Sequence, residues 1–205
     1  MRGLSLAFAL SLTLAGAGAA APTAKNSAPA ARPKLETAVL AGGCFWCTEA
    51  DMQHVPGVVS AVSGYTGGRS ANPTYEQVSG GDTGHIEAVQ VTYDARQITY
   101  DQLLRRFWPT IDPTDGTGQF CDKGPQYRSA VFVRNDAQRR AAELTKAEAA
   151  RKLGKPVATQ ILPEAKFWPA EAYHQEYAAK NPLRYKVYRS GCGRDQRLKA
   201  VWGGR

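Results

Sequence analysis

Thr37-Ala38-Val39-Leu40-Ala41-Gly42-Gly43-Cys44-Phe45-Trp46-Cys47-Thr48-Glu49 passes from an apolar run through paired glycines into two cysteines that flank two large aromatics. The run predicts a strand, the glycines a tight turn, and the cysteines the first turn of a helix. A thiol there faces the unpaired N–H groups and the positive end of the helix dipole, which favour thiolate over thiol. The stretch therefore carries a candidate nucleophile or redox centre; the plainer reading is a buried structural cysteine. Cys44 and Cys47 also have the spacing of a dithiol-disulfide oxidoreductase. Phe45 and Trp46 between them would form an apolar pocket for a small methyl- or sulfur-bearing group.

Working outward, residues 44–54 read as helical, and Val55-Pro56-Gly57 ends the helix. Residues 58–65 read as a second strand, closed by Gly67-Gly68. Residues 85–93 alternate, with Ile86, Ala88 and Thr92 on one face and His85, Glu87, Val89, Val91 and Tyr93 on the other. Glu87 thus shares a face with Val89 and Val91, and the pattern turns a carboxylate inward. Buried without a cation, it would hold its proton to higher pH, as a proton donor needs. An edge-strand glutamate facing water is the alternative.

Residues 99–107 form an amphipathic helix with Tyr100, Leu103, Leu104 and Phe107 as its apolar stripe. Residues 111–126 are polar, glycine-rich and without period, the kind of long loop that usually carries function. A strand at 130–133 follows, then a helix capped by Asn135 or Asp136 and running to Leu153. Residues 157–162 read as a strand, 171–180 as a short helix containing His174 and Tyr177, and 195–202 as a helical end. The mixture of hairpin and helix-crossover links predicts an α+β fold: a two-layer sandwich with a ferredoxin-like core, its mixed sheet carrying packed helices.

Of the 205 residues, 1–21 read as a secretory signal peptide: Arg2 supplies a positive start, 4–14 an apolar run too short to span a bilayer, and 15–21 small-residue cleavage sites. Residues 22–35, rich in Ala, Pro and Lys, read as a disordered leader, and 36–205 as one catalytic domain. An exported, periplasmic or secreted protein is expected, with no stable membrane insertion after cleavage. The formal charge of +8 loses only Arg2 on cleavage, leaving +7. Its basic residues are scattered among acids, which describes a solvated surface and not a nucleic-acid site. A monomer is expected.

The four cysteines, Cys44, Cys47, Cys121 and Cys192, could form two disulfides in an oxidising compartment. A domain of this size does not need them for stability, which shifts weight toward redox work. A structural zinc site would need a second local ligand pair, and none is present; no metal and no bound cofactor are expected. No Gly-x-Ser-x-Gly elbow precedes a helix, and Thr48 stands where haem attachment would require histidine. Thiol redox chemistry remains. Cys192, between Gly191 and Gly193, has the local freedom that a resolving cysteine requires.

Several motifs in series now matter together: Gly42-Gly43-Cys44-Phe45-Trp46-Cys47-x-Glu49, Gly64-Tyr65-x-Gly67-Gly68, Asn72-Pro73-Thr74-Tyr75, Gly81-Asp82-Thr83-Gly84-His85-x-Glu87-Ala88-Val89, Phe107-Trp108, Asp112-Pro113 and Gln126-Tyr127-Arg128-Ser129. Over about residues 36–202 the chain resembles peptide methionine sulfoxide reductase of the A type. The resemblance implies that Cys44 attacks the sulfoxide sulfur, that Phe45 and Trp46 cradle the substrate methyl, and that Glu87 protonates the sulfoxide oxygen. It implies that Tyr75 and Tyr127 hold that oxygen and that Asp122 is a supporting carboxylate. The implied reaction is thiol-dependent reduction of the S epimer of methionine sulfoxide, free or in proteins. It proceeds through a cysteine sulfenic acid and an intramolecular disulfide, which an external thioredoxin-like dithiol then reduces.

Cys192 matches a C-terminal resolving position, Cys47 is the second choice, and Cys121 is expected to pack beside the pocket. A Cys44–Cys192 disulfide is the pairing expected on this reading. His174 is expected to be a packed or surface histidine. Two alternatives remain open: a general thiol-disulfide oxidoreductase cycling Cys44 with Cys47, and a secreted binding domain stapled by disulfides.

Overall fold

The computed structural model describes residues 32–203. The expected signal peptide and the leader up to residue 31 lie outside the described residues, and the leader's last residue, Leu35, already begins the first strand. The elements follow in the order β1 (Leu35–Gly42), α1 (Phe45–Gln53), β2 (Val58–Thr66), α2 (Tyr75–Ser79), β3 (Ile86–Asp94), α3 (Tyr100–Phe107), β4 (Gly118–Gln119) and β5 (Asp122–Lys123). Then come β6 (Ser129–Val133), α4 (Asp136–Leu153), β7 (Gln160–Pro163), β8 (Trp168–Pro169), α5 (Tyr177–Lys180), α6 (Pro182–Gly191) and α7 (Arg194–Trp202).

Six strands form one sheet in the order β7-β6-β1-β3-β2-β8, and β4 pairs with β5 in a separate small hairpin. Every pairing in the large sheet is antiparallel except β6 with β7, which α4 links in parallel. Within it, β6-β1-β3-β2 with α1 and α3 is the split βαβ arrangement of ferredoxin-like folds, so the expected fold is the observed one. β1 and β3 lie at the centre and are covered on both faces, which is why 38–41 read as an unbroken apolar run. Ala38, Leu40, Val89, Val91 and Val131 meet Phe45, Met52, Leu103, Leu104 and Phe107 on the helical side. Val39, Ala41, Ile86, Ala88 and Phe132 form a smaller cluster on the opposite side.

Helix starts follow local chemistry. Thr74 and Thr99 each complete a capping box, with Gln77 and Gln102 respectively, and Asn135 caps α4 through the Gln138 N–H. Gly154 ends α4 in the left-handed conformation. Gly43, at φ +80, turns the chain from β1 into α1; a Cβ there would lie 2.5 Å from that of Gln119.

The C-terminal third differs from its sequence reading. No helix spans 171–180: a 3₁₀ turn covers Ala172–His174, and Glu176 adopts φ 54 before α5 begins. The break has a cause. The Gln175 side-chain amide accepts from the Ser63 N–H (2.9 Å) and donates to the carbonyls of Ser63 (2.9 Å) and Ala170 (2.8 Å), binding the edge of β2 as a strand would. β8 pairs with the same edge at Gly64 and Tyr65. Helix α6 had no sequence signal because it buries none of its residues, so it has no apolar stripe to read.

Gly64 packs under Phe167 and the Trp168 carbonyl, with no room for a methyl group. Gly64→Ala is expected to destabilise the fold by about 1–3 kcal/mol, the usual cost of overpacking. A lower urea midpoint at unchanged m-value would show this, and an unchanged midpoint would mean that the β2–β8 contact yields without cost.

Candidate active site

Cys44 is the N-cap residue of α1, and its carbonyl accepts from the N–H groups of Cys47 and Thr48, both at 3.2 Å. The next N–H, that of Phe45, donates to Oε2 of Glu87 at 2.9 Å. Glu87 stands on β3 opposite Tyr65 of β2 and is 2% exposed, so the inward carboxylate of the sequence reading is the observed one. β3 is an interior strand, and the edge-strand alternative falls away. Burial pushes the Glu87 carboxyl up to about 8; the Phe45 N–H opposes the shift, and the charges of Asp122 and Cys47 add to it. At neutral pH Glu87 is therefore an acid with a proton to give, located under the first turn that carries Cys44.

The expectation that the helix dipole makes Cys44 the acidic thiol is corrected. Cys44 is only 6% exposed, and burial raises its pKa, with the Cys47 hydrogen bond and the Glu87 charge acting in the same direction. Cys47 is lowered to about 7, first by its hydrogen bond with Cys44 and, against burial, by the nearby guanidinium groups of Arg194 and Arg189. The cations act on Cys47, whereas burial and the Glu87 charge act on Cys44.

Tyr75 is the first residue of α2, and Tyr127 ends a 3₁₀ turn after the β5 strand. Both phenols are raised by burial, Tyr75 to about 12, and both feel Glu87, Asp122 and Cys44 as charged neighbours. Cys44, Glu87, Tyr75, Tyr127 and Asp122 thus come from five separate segments to stand near enough for their charges to act on one another. Asp122 accepts a 2.5 Å hydrogen bond from the Tyr188 hydroxyl, which also hydrogen-bonds to the Cys44 thiol. Burial raises the Asp122 carboxyl, while Tyr188 and Arg194 pull it back.

The two aromatics after Cys44 are differently placed. Phe45 is buried and packs on Tyr65 (5.7 Å between ring centres), Tyr75 (6.5 Å) and His174 (5.0 Å). Trp46 is partly exposed, stacks flat on Tyr177 (3.7 Å, 7°) and meets Tyr188 edge-on. Its Nε1 donates to His174 Nδ1 at 3.0 Å. His174 is buried, and burial lowers its pKa, keeping the ring neutral and Nδ1 free to accept. It is a packed histidine, with its place in the aromatic wall. Glu171 joins this wall, accepting from the Tyr65 hydroxyl (2.8 Å) and the Tyr75 N–H (2.9 Å).

Sequence reading assigned no part to Tyr188, Glu49 or Arg194. Glu49 is buried, and both its oxygens accept from the Glu176 N–H (3.1 and 3.0 Å), which holds the C-terminal segment against α1. A glutamate two residues after the second cysteine and a tyrosine one helical turn before Cys192 were the available signals.

The cysteine pairing also differs. Cys192 is joined to Cys121, with Cα atoms 5.0 Å apart, and Cys44 and Cys47 are free and buried. The expected Cys44–Cys192 bond is not the one formed, and Cys121 is exposed and bonded, not packed. Tyr188 occupies the approach between Cys44 and Asp122, while Cys192, at the end of the same helix, falls beside the 120–123 hairpin. Asp122 lies next to both bonded sulfurs, Oδ1 at 3.8 Å from Cys121 and Oδ2 at 3.9 Å from Cys192.

The family model described as Peptide methionine sulfoxide reductase matches residues 36–205. Peptide methionine sulfoxide reductase MsrA 2 of Caulobacter vibrioides is 55% identical over 206 residues, covering 100% of both chains. Mxr1 from Saccharomyces cerevisiae in its reduced form superposes with a TM-score of 0.69 at 37% identity, over 73% of this chain and 87% of that one. A second structure, Mxr1 in complex with Trx2, gives a TM-score of 0.50 at 28% identity, over 71% and 86%. By its matched length, its relatives and its fold, the chain belongs to the peptide methionine sulfoxide reductase family, A type.

Proposed function

We propose that this enzyme reduces the S epimer of methionine sulfoxide, free or in proteins, with Cys44 as nucleophile and Glu87 as acid. The observation that carries the assignment of roles is the buried Glu87 carboxyl under the Phe45 N–H. Thiol–disulfide exchange has no oxygen to expel, whereas a sulfoxide oxygen leaves sulfur only when protonated or hydrogen-bonded, which is what a neutral carboxylic acid beside the thiol supplies. The hydroxyls of Tyr75 and Tyr127, which have no protein hydrogen-bond partner among the described residues, are available to that oxygen. The exposed part of Trp46 and the ring of Phe45 offer an apolar face to the substrate methyl.

The steps balance as follows. The Cys44 sulfur attacks the sulfoxide sulfur; the oxygen passes to Cys44, methionine leaves and Cys44 becomes a sulfenic acid. The Cys192 thiol condenses with it, forming a Cys44–Cys192 disulfide and releasing water. The Cys121 thiol then attacks the Cys192 sulfur, giving the Cys121–Cys192 bond and returning Cys44 as a thiol. An external dithiol of the thioredoxin family takes this last bond to two thiols and is itself oxidised. Support for that partner comes from the solved complex of Mxr1 with Trx2 and from the exposure of Cys121. Cys192 also lines an open groove with Asp112, Phe120 and Arg197. The small-residue motif ahead of residue 22 supports export to the periplasm or beyond.

Cys44→Ser is expected to be inactive, and Glu87→Gln to slow methionine formation in a single turnover by roughly 10² to 10³. Because burial raises the Glu87 pKa to about 8, the acid is present below that pH and lost as pH rises through it. The single-turnover rate of the native enzyme should fall above pH 8, and the Glu87→Gln rate should lack that limb. Retained full activity in Cys44→Ser would sink the mechanism.

Cys121→Ser is expected to trap a Cys44–Cys192 disulfide after one turnover without reductant, and Cys192→Ser to leave Cys44 as a sulfenic acid. Peptide mapping decides this, and recovery of Cys44–Cys47 alone would transfer the resolving role to Cys47. Protein recovered from the exported fraction should begin between residues 18 and 22 on N-terminal sequencing; an exported chain that retains Met1 would contradict cleavage.

A further inference from the structure

We infer that Arg194 is a positioning residue for the disulfide relay, one guanidinium that holds the Cys44, Cys121 and Cys192 segments in register. This inference rests on the relay proposed above. Arg194 lies two positions after Cys192 and is 2% exposed, a rare environment for an arginine. Its Nη1 donates to the carbonyl of Gly42 at 3.3 Å, two positions before Cys44. Its Nη2 donates to the Thr110 carbonyl at 2.7 Å and reaches Asp51 Oδ2, on α1, at 3.5 Å. Its flat face lies 4.4 Å from the ring of Phe120, the residue before Cys121.

The contacts fall on the end of β1, on α1, on the turn at Thr110 and on the β4–β5 hairpin, all reached from the first residue of α7. Gly42 closes β1, Phe120 turns the β4–β5 hairpin at φ 54, and Arg194 opens α7 directly after Gly193 at φ 66. Each of these three residues is within two positions of a cysteine of the relay, in which Cys192 pairs first with Cys44 and then with Cys121. Glycines flank Cys192, and an added Cβ at either would meet nothing within 4 Å, so once the Cys121–Cys192 bond is open packing at these two positions does not hold the backbone there. Arg194 supplies the fixed point. Asp51 also accepts from Arg189 at 2.8 Å, which braces the same corner from α6.

Only arginine can do this with one side chain. A planar fork reaches two carbonyls and a carboxylate while its face lies on a ring; a lysine ammonium is a point charge that can hold one of these partners but neither stacks nor forks. Condensation needs the Cys192 sulfur in line with the Cys44 S–O bond, and the later exchange needs three sulfurs in line, so a displacement of about 1 Å can cost on the order of 10²-fold in rate. The first step, attack on the sulfoxide, uses Cys44, Glu87 and the tyrosines and does not require Cys192 or Cys121 to be in place. Arg194 should therefore separate the two halves of the reaction.

The experiment is rapid-quench single turnover of the full chain with methionine sulfoxide, for Arg194→Lys and Arg194→Met, following two products. Methionine formation reports the first step, and loss of dimedone-reactive Cys44 sulfenic acid reports resolution. The expected result is a methionine burst within about twofold of native and resolution slowed by about 10- to 100-fold, with Arg194→Lys the milder variant. Phe120→Leu, which keeps an apolar side chain and removes the ring face, should slow resolution in the same direction and serves if Arg194→Met fails to fold. Melting temperature is recorded for each variant, since a purely structural arginine would lower it and slow both steps together. Equal slowing of both steps, or unchanged resolution in all three variants, overturns the inference. Failure of the relay itself is read separately, as absence of the trapped Cys44–Cys192 bond in Cys121→Ser.

Discussion

Glu87 sits on an interior strand, covered by a helix, and accepts its one backbone hydrogen bond from the N–H of Phe45. The carboxyl is thereby dry enough to keep a proton and tied to the helix turn that presents the thiol. Much of the surrounding fold maintains these two conditions. β1 and β3 pair from Leu35↔Asp94 to Leu40↔Val89, which brings the end of β1, and hence Gly43 and α1, to the level of Glu87. Phe45 then seals the carboxyl from the helix side, and Tyr65, Tyr75 and His174 close around Phe45. An unpaired buried carboxylate would cost several kcal/mol, and protonation removes most of that cost. The environment that protects the proton also makes it available.

The two free cysteines show how burial and charge divide a similar local geometry. Cys44 and Cys47 are one helical turn apart, and both are near the N-terminus of α1, so the dipole alone does not separate them. Burial and Glu87 act on Cys44, and Arg189 and Arg194 act on Cys47. Negative charge is thus most stable one sulfur away from the sulfur assigned as nucleophile.

The parts of the fold that follow from periodicity were legible from residues alone. Strand alternation in 85–93 placed Glu87 inward, and paired glycines before Cys44 located the strand-to-helix turn. What could not be read was held together by side chains reaching across long separations. Gln175 breaks a helix because Ser63, 112 positions away, offers both its backbone groups. α6 has no pattern because its partners are polar and distant: Asp51 for Arg189 and Asp122 for Tyr188. The Cys121–Cys192 bond spans 71 residues, and local sequence around Cys192 marks its freedom without marking its partner.

The same feature that hid α6 suits it to the chemistry. A segment that buries none of its residues has little apolar area to lose on moving, so displacement costs less there than in the central sheet. Cys192 must reach two different sulfurs in turn, which a tightly packed helix would prevent. Full freedom would be equally unhelpful, because exchange is fast only when sulfurs meet in line. The arrangement divides these demands along the chain. Glu49 grips the Glu176 N–H before α6, and Arg194 grips Gly42 and Thr110 after it, leaving α6 and the Cys192 turn suspended between two buried anchors. Tyr188 lies between these anchors, against both Cys44 and Asp122, so the proposed relay requires Tyr188 to give way to Cys192 while both anchors hold.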